Sequence, residues 1–267
     1  MAMEHDTLNW LRLADKFATD GDPKGMRACA RELWDMDAES MEGAAVMAEA
    51  ALYSGEYEEA RTLTDEILQK KPKHLRGRLV RAGLAAVEFR LDEEIPALRR
   101  LIAELDPKRL ALDPDDAYYG VVLHLLSRAR GWLADALYLA AEPEQAASEL
   151  LAHSALGASP AEQAASYSKY LFMRNYREQS LGESRAAAER YAKFWDVTPY
   201  AHDQVAKRPD KKLRIGYLSP DFREHAVASF LSPLLKHFDG SRFMVYCYAT
   251  GKRDEVTRPL QSRAVSW

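Results

Sequence analysis

The residues best suited to chemistry lie in one short segment, LRIGYLSPDFREH, which begins at Leu213 and ends at His225. Histidine titrates near neutral pH, so its ring can take up or relay a proton. A helix that begins near Val227 would disfavour the charged ring through its dipole, whereas Asp221 would favour it. The segment therefore predicts either an active-site histidine or, alternatively, a turn histidine that caps the following helix.

The elements around this segment follow a β-α-β pattern. An apolar and aromatic run at 213–218 predicts a buried strand, and SPDFREHA predicts a turn. VASFLSPLLKHF reads as an amphipathic helix, and the run at 242–250 as a second strand. Parallel sheets bind ligands beyond the carboxyl ends of their strands, so residues 219–225 lie where chemistry is expected.

A much longer helical region precedes this unit. From Thr7 to Trp195 apolar residues recur with the period of a helix, and one stretch of about 34 residues, 41–74, resembles a tetratricopeptide repeat. The residues that carry this resemblance are Ala48, Gly55, Tyr57, Ala60 and Pro72. Roughly three such repeats are predicted up to about residue 108, after which the register is lost. The charges of LRGRLVRAG, at 75–83, are predicted to face solvent.

Repeats of this kind predict a concave surface for a protein or peptide, although the helices could also stack only to bury one another. Some tetratricopeptide arrays grip an extended peptide with a ladder of inner asparagines. The matching positions here are Arg12, Val46 and Val80, so this ladder is absent. We expect the two valines to pack against another chain or against the later helices.

Composition excludes several classes of function. The net charge of −4 leaves no basic stripe for nucleic acid, and no apolar run is long enough to span a membrane. The start of the chain shows no signal peptide, and Cys29 and Cys247 form no disulfide framework, so a cytoplasmic protein is predicted. No metal is expected, because His124 and His153 lack a second ligand one helical turn away.

Two further helices are predicted in the segment 160–195, the first beginning after Ser159. The polar, proline-containing segment 196–212 is predicted to be a linker. The predicted organisation is therefore mainly α: repeats at 1–108, further helices at 109–195, the linker, and the start of a catalytic domain at 213–267.

LRIGYLSPDFREHAVASFL, followed by SRFMVYCYAT, resembles the opening of the catalytic region in the O-GlcNAc transferase family, which includes the spindly-type enzymes. The family motif is roughly LRIGYVSxDFxxHPVA, and this chain departs from it at Ala226, where proline is frequent. YSKYLFMRNYREQSLGESRAAAERYAKFW also resembles the family's connection between repeats and catalytic domain. The motif residues retained are Arg214, Gly216, Tyr217, Ser219, Asp221, Phe222 and His225.

The resemblance implies helical repeats in front of a two-lobed, Rossmann-like glycosyltransferase. Such enzymes transfer a sugar, with inversion, from a nucleotide sugar such as UDP-GlcNAc to serine or threonine of a protein. His225 would lie between acceptor and donor as a base or a positioning group, with Asp221 beside it. Ser219, Pro220 and Phe222 are predicted to contact the substrate.

Two lobes of this kind need many more strands than the 42 residues after His225 can supply. We therefore expect an N-terminal fragment that binds no cofactor itself, is inactive alone and needs the remainder of the catalytic region as its partner. The alternative is a helical-repeat adaptor for protein–protein interaction without catalysis.

Overall fold

The computed structural model describes residues 2–107, 110–113, 115–116, 118–157, 159–196, 198, 211–264 and 266–267, with only the backbone described for 2–5. The chain forms two compact units, residues 1–197 and 198–267, and each is treated by itself.

The first unit consists of helices, and those next to each other in sequence pack together. The chain is mainly α, as predicted. The helices are α1 Ala2–Thr19, α2 Pro23–Met36, α3 Met41–Ser54, α4 Tyr57–Lys70, α5 Leu75–Val87, α6 Leu91–Glu104, α7 Tyr119–Leu139, α8 Pro143–Ser154, α9 Pro160–Met173 and α10 Leu181–Ala192, with a 3₁₀ turn at Arg174–Tyr176.

Equivalent helices of the first three hairpins are spaced by the tetratricopeptide period. The second helices α2, α4 and α6 begin at Pro23, Tyr57 and Leu91, which are 34 residues apart. The first helices α3 and α5 begin at Met41 and Leu75, again 34 residues apart. Three repeat-like hairpins therefore occupy the region in which the sequence predicts them.

The turn inside each hairpin also has a recurring geometry. It is found in four hairpins, whereas the sequence pattern predicts three repeats. The residue two positions before each second helix has a positive φ: Gly21 (66°), Gly55 (78°), Phe89 (55°) and Ala141 (59°). In every case the next N–H donates to the carbonyl five residues earlier, which is the pattern of a Schellman cap. The longer segment between α6 and α7 breaks the 34-residue spacing, but the pair α7–α8 keeps the hairpin geometry.

A small residue lies at the same place in each of these four hairpins, seven positions before the turn residue. Ala14, Ala48, Ala82 and Ala134 are all almost completely buried. A methyl side chain lets neighbouring helices approach closely, so the core of larger residues can interlock around it. That core includes Leu33, Leu79, Leu98, Leu125 and Leu133.

Helix α7 contacts α5 and α6 and also reaches α1. His124 Nε2 lies 3.6 Å from Asp15 Oδ1 of α1, and Arg128 pairs with Glu49 of α3. Val46 and Val80 are fully buried inside the unit, so neither is available to another chain.

A buried network of charges joins four of these helices. Arg76, which is 1% exposed, pairs with Asp15 at 2.6 Å and with Glu49, and Glu49 also pairs with Arg128. Burial alone would lower the pKa of Arg76, but Asp15, together with Glu42 and Tyr118, raises it and the net shift is upward. The prediction that the charges of LRGRLVRAG face solvent is therefore wrong for Arg76, because its partners come from distant helices.

The second unit is the predicted β-α-β arrangement. Its elements are β1 Leu213–Ser219, α11 Ala226–His237, β2 Phe243–Ala249 and the short helix α12 Thr257–Gln261. The two strands are parallel, in register from Leu213 opposite Phe243 to Ser219 opposite Ala249. Strand β1 is less buried than predicted, since Leu213 and Leu218 are 63% and 73% exposed. The unit's core is formed by Phe222, Ala228, Leu231, Leu235, Val245, Cys247 and Leu260.

Candidate active site

The turn at 220–225 connects β1 to α11 and therefore lies beyond the carboxyl ends of the two parallel strands. It is held against the segment that follows β2, because the N–H of Thr250 donates to the carbonyl of Ser219 at 3.2 Å. Gly251 is needed at this contact: a Cβ there would lie 2.0 Å from the carbonyl oxygen of Pro220. Any larger residue would push the turn away from the sheet.

Ser219 and Asp221 stabilise the start of the turn through a local hydrogen bond. The N–H of Asp221 donates to Ser219 Oγ at 3.0 Å, which is the geometry by which a hydroxyl closes a tight turn. Pro220 between them is exposed. The serine hydroxyl is thus engaged with the backbone, while the carboxylate of Asp221 remains available to its neighbours.

Phe222 anchors the turn in the core of the unit. Its side chain is 3% exposed and lies 5.2 Å from the Trp267 ring, centroid to centroid. Its carbonyl oxygen accepts a hydrogen bond from Thr257 Oγ1 at 2.8 Å. The buried phenyl ring therefore positions the turn. The predicted contact of Phe222 with substrate would have to come from its backbone.

Asp254 is a structural residue of this site that the sequence analysis did not single out. Its carboxylate accepts from the N–H of Glu224 at 2.6 Å and from those of Val256 and Thr257 at 3.0 and 3.1 Å. These hydrogen bonds, that of Glu224 foremost, lower the pKa of Asp254. Aspartate is favoured at helix N-termini, where its carboxylate accepts backbone N–H groups, and that preference could have pointed to it.

His225 is the N-cap of α11. Its Nδ1 accepts a hydrogen bond from the N–H of Val227 at 3.2 Å and lies 3.9 Å from Asp221 Oδ2, while Arg223 lies 3.5 Å from the other oxygen of Asp221. When a neutral imidazole accepts at Nδ1, its proton is on Nε2, so Nε2 is a hydrogen-bond donor. His225 thus caps the helix, as the alternative interpretation of the sequence predicts. Its side chain is 41% exposed.

Two further observations concern the described residues as a whole. Among them, no group of three or more His, Cys, Asp and Glu side chains is arranged to hold a metal ion. Within the same residues, every helix falls short of the length and apolarity needed to cross a bilayer.

Comparison with known proteins finds a family match that includes the β-α-β unit. Residues 186–262 match the model of glycosyl transferase family 41. Over 99 residues the chain is 30% identical to the probable UDP-N-acetylglucosamine–peptide N-acetylglucosaminyltransferase SPINDLY of Arabidopsis thaliana, which is 36% of this chain and 11% of that protein.

Two solved structures resemble the chain more distantly. An O-GlcNAc transferase of Thermobaculum terrenum, in a mutant form, aligns with all of this chain and 42% of its own at 20% identity, with a TM-score of 0.40. A TPR protein of Thermus thermophilus aligns with 70% of this chain and 98% of its own at 16% identity, with a TM-score of 0.39.

The resemblance carried by LRIGYLSPDFREH is therefore confirmed. Residues 186–262 match glycosyl transferase family 41, and they follow a series of tetratricopeptide-like hairpins. It matches about a tenth of the length of its plant relative and covers less than half of the bacterial enzyme.

Proposed function

We propose that this chain is the repeat-bearing front part of a protein O-glycosyltransferase that transfers GlcNAc, or a related sugar, from a nucleotide sugar to serine or threonine. The observation that carries the proposal is the position of His225. It lies at the carboxyl end of parallel strands, inside the segment that matches the family model. The name of the plant relative favours UDP-GlcNAc as the donor and a peptide as the acceptor.

In this proposal His225 contacts the acceptor hydroxyl through Nε2. With Nδ1 bound to the N–H of Val227, the neutral ring donates and so orients the acceptor oxygen. Acting as a general base would require the ring to flip or to release the cap. Asp221 Oδ2, 3.9 Å from Nδ1, is proposed to help position the ring, and half-buried Ser219 and exposed Pro220 are proposed to contact the substrate.

The chain by itself is expected to be inactive. Its described sheet consists of two paired strands with a single bridge from Tyr246 to Ser266, whereas a nucleotide-binding lobe needs five or six strands. The nucleotide would therefore be bound by the remainder of the catalytic region. We place this activity in the cytoplasm, and we assign binding of the protein acceptor to the repeats.

The test is sugar transfer by the native protein, isolated from its source with an antibody against the helical unit. We expect labelled GlcNAc to pass from UDP-GlcNAc to a serine-containing acceptor, and the 267-residue chain alone to transfer none. His225→Ala in the complete protein should reduce the rate about 100-fold or more. His237→Ala, an exposed histidine at the other end of α11, is the matched control and should leave it unchanged.

A second candidate is an adaptor that binds proteins without catalysis. It is favoured by the first unit, which has its own buried core and does not require the β-α-β unit for it. An antibody-detected native protein near 30.2 kDa that binds no UDP would support the adaptor. A much larger protein that binds UDP and transfers sugar would exclude it.

A further inference from the structure

A cavity of about 260 Å³ opens between α3, α5, α6 and α7, at the end of the array where the first helices of the hairpins finish. Its walls are mostly apolar and include two aromatic rings. It is lined by Leu52, Tyr53, Gly83, Ala86, Val87, Glu94, Trp132, Asp135, Ala136 and Leu139. It is smaller than the usual site of a drug-sized ligand, so its volume suits a single side chain.

One carboxylate in this cavity is buried without a partner. Glu94, in the first turn of α6, is 3% exposed, and within the described part of the chain no hydrogen bond or ion pair reaches its carboxylate. The equivalent position, three residues into each second helix, holds Met26, Ala60 and Ala146 in the other hairpins, all fully buried. Burying an unpaired carboxylate is costly, so packing alone gives no reason for glutamate here.

A second carboxylate, Asp135 of α7, lines the same cavity. Burial, with a smaller contribution from Asp135, raises the pKa of Glu94 to about 7, although the N-terminus of α6 would favour the charged form. Burial also raises the pKa of Tyr53 to about 12, so its hydroxyl adds no charge of its own at neutral pH. The cavity is therefore acidic on two sides and apolar elsewhere.

Two cations that contact lining residues of the cavity are bound to other groups. Lys169 of α9 lies 3.7 Å from Asp135 and is largely exposed. Arg128 lies over the rings of Tyr53 and Trp132, 5.1 Å from each centroid, but its guanidinium donates to Glu49 and to the Tyr53 hydroxyl. Neither cation pairs with the carboxylate of Glu94. A cation from another molecule could therefore pair with it.

We propose that this cavity binds a basic side chain, lysine or arginine, presented by a partner protein. The aliphatic stem would lie against Trp132 and the apolar wall, and the charged end would pair with Glu94 and Asp135. Charge complementarity identifies the occupant, because two carboxylates at an otherwise apolar cavity select a cation with an apolar stem. The site stands whether or not the chain takes part in sugar transfer.

The test uses butylguanidinium as the probe and the neutral, similarly shaped butylurea as its control. Binding is followed in the purified chain at pH 8 by the NMR signal of the Trp132 indole N–H, which Trp132→Phe identifies. We expect a saturable shift with butylguanidinium at millimolar concentration, weakened about tenfold or more by Glu94→Gln. Asp92→Asn, an exposed acid in the same helical turn, should bind the probe as the unaltered chain does.

Three results would overturn the site: no shift with butylguanidinium, an equal shift with butylurea, or unchanged binding in Glu94→Gln. If Glu94→Gln does not fold, the unaltered chain provides the same information. Its affinity for butylguanidinium should fall between pH 8 and pH 5.5, because Glu94 becomes protonated over that range. Equal affinity at both values would argue against the proposal.

Discussion

The two units of the chain satisfy their polar groups in different ways. In the first unit Arg76 pairs with Asp15 and Glu49, which lie 61 and 27 residues away in sequence. At the candidate site of the second unit, the side chains of Ser219 and His225 bond locally, to Asp221 and Val227, and the supporting Asp254 reaches the turn from a distance. Long-range pairs fix how helices are arranged, whereas local pairs set only the shape of a turn. Losing the former should therefore affect the whole unit, and losing the latter only its surroundings.

The largest effect should come from breaking the buried network. Glu49→Gln would leave Arg76 and Arg128 buried with too little negative charge, and we expect a loss of about 3–5 kcal/mol in the free energy of unfolding. Denaturant titration of the purified chain measures it. Glu88→Gln, which breaks the more exposed pairs with Arg61 and Arg90, should cost far less, because solvent screens them. Similar losses in both variants would show that burial does not distinguish the two pairs.

Glu94 differs from the other buried charges of the first unit because it has no partner among the described residues. Its removal should therefore stabilise the protein. Its pKa is raised when folded, so the folded state holds the proton more tightly and loses stability as pH rises through about 7. Glu94→Gln should raise the free energy of unfolding at pH 8 by up to about 3 kcal/mol, with little change at pH 5. Paired unfolding titrations at the two pH values measure this. A destabilised variant at pH 8 would mean that Glu94 has a partner.

In the second unit, two substitutions at His225 separate its local role from its proposed chemistry. His225→Asn retains an N-cap side chain, whereas His225→Ala removes it at a cost of about 1 kcal/mol to α11. Hydrogen exchange of the α11 amides in the complete protein should therefore rise in the alanine variant alone. Sugar transfer should be lost in both, and a fully active asparagine variant would reduce His225 to a cap.

The smallest effect is expected at a local pair that lies in the first unit. Ser180 and Glu183 form a capping box at the start of α10. Ser180→Ala should lower the free energy of unfolding by about 1 kcal/mol or less, because both residues are exposed. Thermal unfolding checks this. A loss as large as that of Glu49→Gln would show that local bonds in this unit also control the global fold.

The sequence predicts those features whose signals are close together in the chain. The 34-residue spacing, the start of α9 at Pro160 after the Ser159 cap, and the β-α-β order are all of this kind. Burial of Arg76 could not be predicted, because its partners lie on α1 and α3, 61 and 27 residues away, and meet it only in the folded unit. The anchoring of the candidate-site turn by Asp254 depends likewise on a contact 30 residues distant.

The left-handed turns keep the same backbone geometry in hairpins that lack the glycine typical of the repeat. Glycine occupies that position in the first two hairpins, whereas Phe89 and Ala141 occupy it in the next two, although side chains disfavour a positive φ. The packing of the paired helices, and the carbonyl that receives the next N–H, hold the backbone in place without glycine. A search that counts repeats by their glycines would find half of these hairpins. Arrays of this type can therefore diverge in the sequence of their turns while keeping the turn geometry, and ancestry would be traced better by that geometry than by composition.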